Sequence, residues 1–192
     1  MNDEYTGIPA AAILHDSQDH SDELLLRFAM QLKRQGLRVH GVVQAPQTLS
    51  ATGARQMGII DLADGSRLSI SQDRGAGARG CCVDPGALAE ASIILRRACE
   101  QGADLVVVNR FGTLETEGGG FASDLLALMS ADIPVLTVVE RKYLAGWRRF
   151  TGGMAAELPP SAESLREWYA SLPRECEAGL EQAGEPSIRP LS

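Results

Sequence analysis

Short apolar-rich runs separated by stretches of helical periodicity constrain this chain more than any other feature. Residues 8–14, 37–43, 105–108 and 133–139 are each only four to seven long, the length and character of strands buried on both faces of a sheet. Between the first two, Leu24, Leu25, Phe28, Ala29 and Leu32 recur at helical spacing, and the helix is expected to stop at Gly36 with Lys33 and Arg34 complementing its dipole. Asp84 and Pro85 read as the N-cap and first residue of a second helix through Leu88, Ile94, Leu95 and Ala98 to Gly102. Gly118, Gly119 and Gly120 open a third, which carries Leu125, Leu126, Leu128 and Met129.

Strands alternating with helices require a mainly parallel sheet with right-handed crossovers, hence an α/β protein of three layers. Residues 58–72 depart from that alternation: two extended runs around Ala63, Asp64 and Gly65 predict a small antiparallel hairpin insertion. Residues 142–150 and 162–172 read as closing helices, parted by Gly152, Gly153, Pro159 and Pro160. A length of 192 residues supports one core, so 1–172 is expected to be a single domain. Residues 173–192, rich in Pro, Gly and Glu, are expected to form a flexible tail.

Charge narrows the partners. The net charge is −7, which disfavours a nucleic acid backbone, because binding to it is driven by clustered cations. No apolar run approaches the length of a membrane span, and Met1, Asn2, Asp3 and Glu4 begin acidic where a secretory leader begins basic. A cytoplasmic location without membrane insertion is therefore expected. Four cysteines, among them adjacent Cys81 and Cys82, match no zinc or redox spacing. With His15, His20 and His40 as the full set of histidines, no Ser–His–Asp or Cys–His arrangement emerges.

In an open parallel sheet, ligands sit at the carboxyl ends of the strands, which here directs attention to the loops after Leu14, Val43, Val108 and Val139. The first loop, from His15 to Asp22, occupies the place of a phosphate-binding loop. Such a loop needs glycines and a closing Gly-Lys-Ser/Thr; this one has neither glycine nor lysine and holds Asp16, Asp19 and Asp22. It reads either as a metal-ligating loop or as a solvated one in which Ser21 or Asp22 caps the helix.

Residues 69–86 form the best candidate for an anion. Gly75, Gly77 and Gly80 alternate with small residues and with Arg74 and Arg79 ahead of a helix start, so backbone N–H groups and guanidinium forks could converge on one oxyanion. Ser71 and Gln72 would add hydrogen bonds; the alternative is a solvated surface loop. Asn109 stands where a magnesium-holding aspartate would end its strand, and Arg110 follows it. That pair suits a small anion without a metal, or else Asn109 caps a turn and Arg110 pairs with Glu115 or Glu117. The basic stretch from Arg141 to Phe150 could close over a ligand, or bury Leu144, Trp147 and Phe150 with its cations in water.

Ile70, Ser71 and Gln72 with Gly75 to Gly86, Val108 to Gly112 with Glu115 and the three glycines, and Arg141, Lys142, Trp147 and Phe150 to Gly153 together resemble a bacterial domain-of-unknown-function family. Its members often lie beside molybdate-transport genes, and the resemblance covers about residues 8–153. The family is distantly similar to P-loop nucleoside-triphosphatases, including the thermophilic ones and the GTP-binding adaptor of molybdopterin-guanine-dinucleotide synthesis; the Walker motifs here are degenerate. The resemblance implies molybdenum metabolism. The resulting expectation is a non-enzymatic protein that binds or delivers molybdate or tungstate through Ser71, Gln72, Arg74, Gly75, Gly77, Arg79, Asn109 and Arg110, without a metal ligand. Its partners would be a molybdate transporter or molybdenum-cofactor proteins, or a second copy of the chain. Two alternatives stay open: a divergent nucleotide-binding protein or NTPase that recruits Lys142 or Glu115, and a pseudo-NTPase interaction module.

Overall fold

A computed structural model describes residues 7–16, 20–46, 48–49, 55–71 and 84–173. Five strands run parallel at its centre: β2 (Val39–Gln44), β7 (Leu105–Phe111), β8 (Val135–Glu140), β1 (Ala10–His15) and β9 (Ala156–Leu158), in that spatial order. Beyond β2 the sheet continues through β5 (Gly58–Asp61) and β6 (Arg67–Ser69), each antiparallel to its neighbour. The expected hairpin is thus present and extends the main sheet. Its turn is held by the Asp61 and Asp64 carboxylates, which accept from the N–H groups of Ala63 and Ser66 at 2.8 Å each. A separate two-stranded ribbon, β3 (Thr48–Leu49) with β4 (Arg55–Gln56), has no counterpart in the sequence expectations.

Helices cover both faces, and the strands alternate between them. Ala11 and Ile13 of β1 face Leu25, Phe28, Ala29 and Leu32 of α1 (Ser21–Arg34) and Leu165 and Trp168 of α6 (Ala162–Ser171). Ala10, Ala12 and Leu14 face the opposite layer, built from α2 (Pro85–Gln101), α4 (Ala122–Ser130) and α5 (Leu144–Phe150). Three consecutive alanines in β1 let both layers approach a central strand closely. Trp147 of α5 is fully buried and meets Phe111 edge-on, with ring centroids 5.2 Å apart. The inward packing expected for Leu144, Trp147 and Phe150 is observed, with the tryptophan deepest.

Several boundaries differ from the sequence expectations. The first helix is not among them: it ends at Arg34, with Lys33 and Arg34 in its last turn and Gly36 just beyond at φ +86°, as expected. Lys33 does more than complement the helix end: its ammonium donates to the carbonyls of Leu62 and, at 3.1 Å, Ala63, which ties the helix to the hairpin turn. The strand expected at 105–108 runs on to Phe111, and a short helix α3 (Thr113–Thr116) follows it. The final strand β9 was not anticipated, being three residues long. Residues 174–192, expected as a tail, lie outside the described residues.

Two glycines act by admitting a neighbour. At Gly41 in β2, φ is +110° and a Cβ would lie 2.0 Å from the carbonyl oxygen of Val107 in β7. At Gly120, φ is +56° and a Cβ would lie 2.0 Å from Glu115 Oε1. The buried Glu115 carboxylate needs that space, because it accepts from the N–H of Gly112 at 2.9 Å and of Phe121 at 3.1 Å, closing the loop after β7.

Gly41→Ala should therefore lower unfolding stability by roughly 3 kcal/mol, combining left-handed strain with overpacking, measurable by denaturant titration. Glu115→Ala should cost about 2 kcal/mol by stranding two backbone donors. Combined with Gly120→Ala, it should cost less than the sum of the single changes, since removing the carboxylate removes the clash; a double-mutant cycle measures the difference.

Candidate functional site

The shared direction of β1, β2, β7 and β8 brings His15, Gln44, Phe111 and Glu140 to one edge of the sheet. This is the edge expected to carry the site. Two local features shape it: the entry into α1 and an irregularity in β7.

α1 begins at Ser21, so Ser21 and Asp22 are its first helical residues and not its cap. His20 precedes them and makes no side-chain capping bond. The expectation that Ser21 or Asp22 caps this helix is therefore incorrect. Asp22 instead places a carboxylate in the first turn, where the helix dipole favours negative charge.

In β7 one extra residue lies between Val108 and Phe111: Val108 pairs with Thr137 and Phe111 with Val139. Val106, Val108 and Phe111 all face the α2, α4 and α5 layer, so the bulge takes up Asn109 and Arg110. Bulges re-aim side chains. Arg110 Nη2 reaches the α1 side and donates to Asp22 Oδ2 at 2.5 Å. It does not pair with Glu115 or Glu117, as one reading of the sequence proposed, because Glu115 is held by backbone N–H groups.

The pair is incomplete. Its side chains are 39% and 34% exposed, yet Arg110 Nε and Asp22 Oδ1 are buried without hydrogen-bond partners. The same holds for Ser21 Oγ, Asn109 Oδ1 and His15 Nε2. Among the described residues, five of the eight such atoms thus belong to the first turn of α1 and the ends of β1 and β7. Unpartnered buried polar atoms are uncommon and costly, so a concentration of them calls for a ligand, ion or water.

His15 is 3% exposed and follows Ala11 and Ile13 in strand alternation, which sets it on the α1 side. Its Nδ1 lies 2.8 Å from the carbonyl oxygen of Asp16. Around this centre, charges are matched: Asp16 pairs with Arg141 at 3.4 Å and Glu140 with Lys142 at 2.6 Å. The Glu140 carboxylate holds the Lys142 ammonium above its ordinary pKa range. Lys142 also lies 5.0 Å from the Tyr143 ring centre, and Tyr143 Oη shares a 2.7 Å hydrogen bond with Thr113. Neither Lys142 nor Glu115 is thus an uncommitted group for a nucleotide.

The other candidate ligands lie elsewhere. Ser71 accepts from Met57 N–H at 2.5 Å and donates to Met57 O at 3.3 Å, so its hydroxyl closes the hairpin base. It also follows β6, three strands away from β7 in the order β6, β5, β2, β7, roughly 14 Å at ordinary strand spacing. Gln72, Arg74, Gly75, Gly77 and Arg79, with Cys81 and Cys82, lie outside the described residues. The flanks of their segment meet: Asp84 N–H donates to Ile70 O at 2.8 Å. The start of α2 is already served, since Asp84 Oδ1 accepts from Gly86 and Ala87 N–H at 2.7 and 3.3 Å. An oxyanion on those donors would have to displace that carboxylate.

Of the eight residues selected from sequence, Asn109 and Arg110 are brought together, and the sequence reading missed their companions Ser21, Asp22 and His15 as an inward-facing set. The period-two pattern Ala11, Ile13, His15 was the available signal for the histidine. Among the described residues, no group of three or more His, Cys, Asp or Glu side chains could hold a metal. No helix of the described residues is long and apolar enough to cross a membrane.

Comparison with known proteins follows the same lines. The fold matches the crystal structure of THEP1 from the hyperthermophile Aquifex aeolicus with a TM-score of 0.61, covering 86% of this chain and 99% of that one at 17% identity. This likeness concerns the fold, an α/β scaffold of P-loop-NTPase type. Over 161 residues, 83% of this chain, the sequence is 38% identical to the molybdenum import ATP-binding protein ModC 2 of Bradyrhizobium diazoefficiens. The chain spans only 18% of that relative's length. Residues 10–168 match the family described as protein of unknown function, DUF2478, extending past residue 153 to take in β9 and most of α6, and the chain belongs to that family.

Proposed function

We propose that this protein binds a small tetrahedral oxyanion of the molybdate or tungstate class, on a P-loop-like scaffold, and holds or delivers it in the cytoplasm for molybdenum homeostasis. One observation carries the reading: five buried polar atoms without hydrogen-bond partners, among them Arg110 Nε, lie on the first turn of α1 and at the ends of β1 and β7. Arg110 Nε–H and the Ser21 hydroxyl supply donors. The side-chain amide of Asn109 supplies two more when its NH2 end turns inward, an orientation set by hydrogen bonding.

The charge arrangement opposes a triphosphate. Where a phosphate lysine would stand, Ser21 is neutral and Asp22 is anionic, and Asn109 offers no carboxylate for magnesium. A single dianion needs less: Asp22 takes Arg110 Nη2 and leaves Nε–H unpaired. The molybdenum assignment is supported by the relative, whose name links it to molybdenum import. Gln72, Arg74, Gly75, Gly77 and Arg79 remain part of the proposal on their sequence pattern alone.

The relative also favours a second reading. Its matching stretch is a minor part of a longer ATP-binding protein, as an interaction module joined to transport machinery would be. Trp147 is fully buried and offers such a partner no exposed ring.

Titration calorimetry with molybdate, tungstate, sulfate and Mg-ATP separates these readings. Saturable binding of molybdate or tungstate without ATP turnover is expected. Arg110→Ala should weaken it about 10- to 100-fold, the range for a lost charge-assisted hydrogen bond, while Asp22→Asn should tighten it several-fold by removing a nearby like charge, on the order of 1 kcal/mol. No heat from either metal oxyanion at millimolar concentration would refute the proposal.

A further inference from the structure

We infer that His15 is a proton-coupled ligand of this site, so that one proton is taken up from solvent as the oxyanion binds; the inference rests on the oxyanion reading above. The argument begins with the ring's fixed contact. A carbonyl oxygen only accepts, so the 2.8 Å contact between His15 Nδ1 and Asp16 O places a hydrogen on Nδ1. In the neutral ring, Nε2 is then a bare lone pair. That atom is buried and without a partner, on a residue 3% exposed.

A fully deprotonated oxyanion presents only lone pairs. Facing Nε2 of the neutral ring, it meets repulsion; facing an imidazolium, it receives a charge-assisted hydrogen bond. Two other atoms of the set, Asp22 Oδ1 and Asn109 Oδ1 as oriented, are also acceptors, so the wall is short of donors until a proton enters. Turning the Asn109 amide supplies N–H groups, and protonating His15 supplies another with a positive charge.

The surrounding charges leave this role to the ligand. Asp16 beside the ring pairs with Arg141, and Glu140, the register partner of His15 in β8, pairs with Lys142. From α1, Asp22 pairs with Arg110 of β7 and Glu23 with Arg27, while His20 is exposed at the helix entry. Each of these carboxylates already has a cation. The bound anion is thus the counter-charge that an imidazolium at this position lacks. The proton resides on Nε2, no covalent bond to the ligand forms, and the pair dissociates by the reverse route.

Calorimetry of the full chain with molybdate, in buffers of different ionisation enthalpy at matched pH between about 6 and 8, reads the proton count directly. Uptake of up to one proton is expected, largest at the alkaline end of that window, with affinity falling there by up to about tenfold per pH unit. His15→Gln, whose amide donates without titrating, should bind with little uptake and a flattened pH profile. Nitrogen-15 spectra of the wild-type ring should show both nitrogens protonated in the complex, which tests the idea even if the variant fails to fold. Binding with no proton uptake would overturn the inference and leave the oxyanion reading standing; uptake that persists in folded His15→Gln would overturn it as well. An absence of binding would remove both.

Discussion

The parallel strands β1, β7 and β8, buried on both faces, leave little room for polar chemistry along their length. Their backbone groups are spent on the ladder, and their side chains, from Ala10 to Val139, belong to one core layer or the other. Polarity is admitted where the strands stop. The shared direction of β1, β7 and β8 makes those stopping points coincide, so His15, Asn109, Arg110 and Glu140 arrive at one edge from distant parts of the chain. The exceptions inside the layers are few: Thr137 and Ser92 are buried, and Ser92 donates to Asp124 at 2.7 Å.

At that edge the decisive substitution of roles is electrostatic. A phosphate-binding helix start normally waits for an external anion. Here the first turn of α1 carries its own, Asp22, and β7 answers with Arg110. The internal pair satisfies the dipole and joins α1 to β7 across the width of β8, but only through Nη2 and Oδ2. Pairs with this degree of exposure contribute on the order of 1 kcal/mol or less to stability. The pair leaves Arg110 Nε and Asp22 Oδ1 without partners.

The layer architecture was legible because it rests on periodicities that tertiary contacts reinforce: the apolar runs became β1, β2, β7 and β8, and Asp84-Pro85 opened a helix. What escaped the sequence has identifiable causes. The strand β9 is three residues, too short for a pattern, and is specified by its pairing with β1. One of the two readings of Arg110 paired it with the nearer carboxylates Glu115 or Glu117, because sequence proximity says nothing of a bulge that turns it toward a residue 88 positions away. The three glycines were read as a helix opening, whereas Gly120 makes room for the Glu115 carboxylate. Ser71 looked like a ligand by its neighbours, but its hydroxyl is spent on Met57.

Fold and chemistry separate here along a definable line. The resemblance to THEP1 extends over nearly the whole of that structure and concerns the fold. The backbone contributes what any occupant of such a scaffold inherits, namely a helix start and two strand ends facing one space. The occupant is then selected by whether that space holds a lysine and a free carboxylate, as a nucleotide with its magnesium requires, or a guanidinium already bound by an acid, as with Arg110 and Asp22. Under the oxyanion proposal, the described residues offer a compact dianion the Nε–H of Arg110 and the proton that His15 accepts. Specificity in such a site comes from charge count as much as from shape.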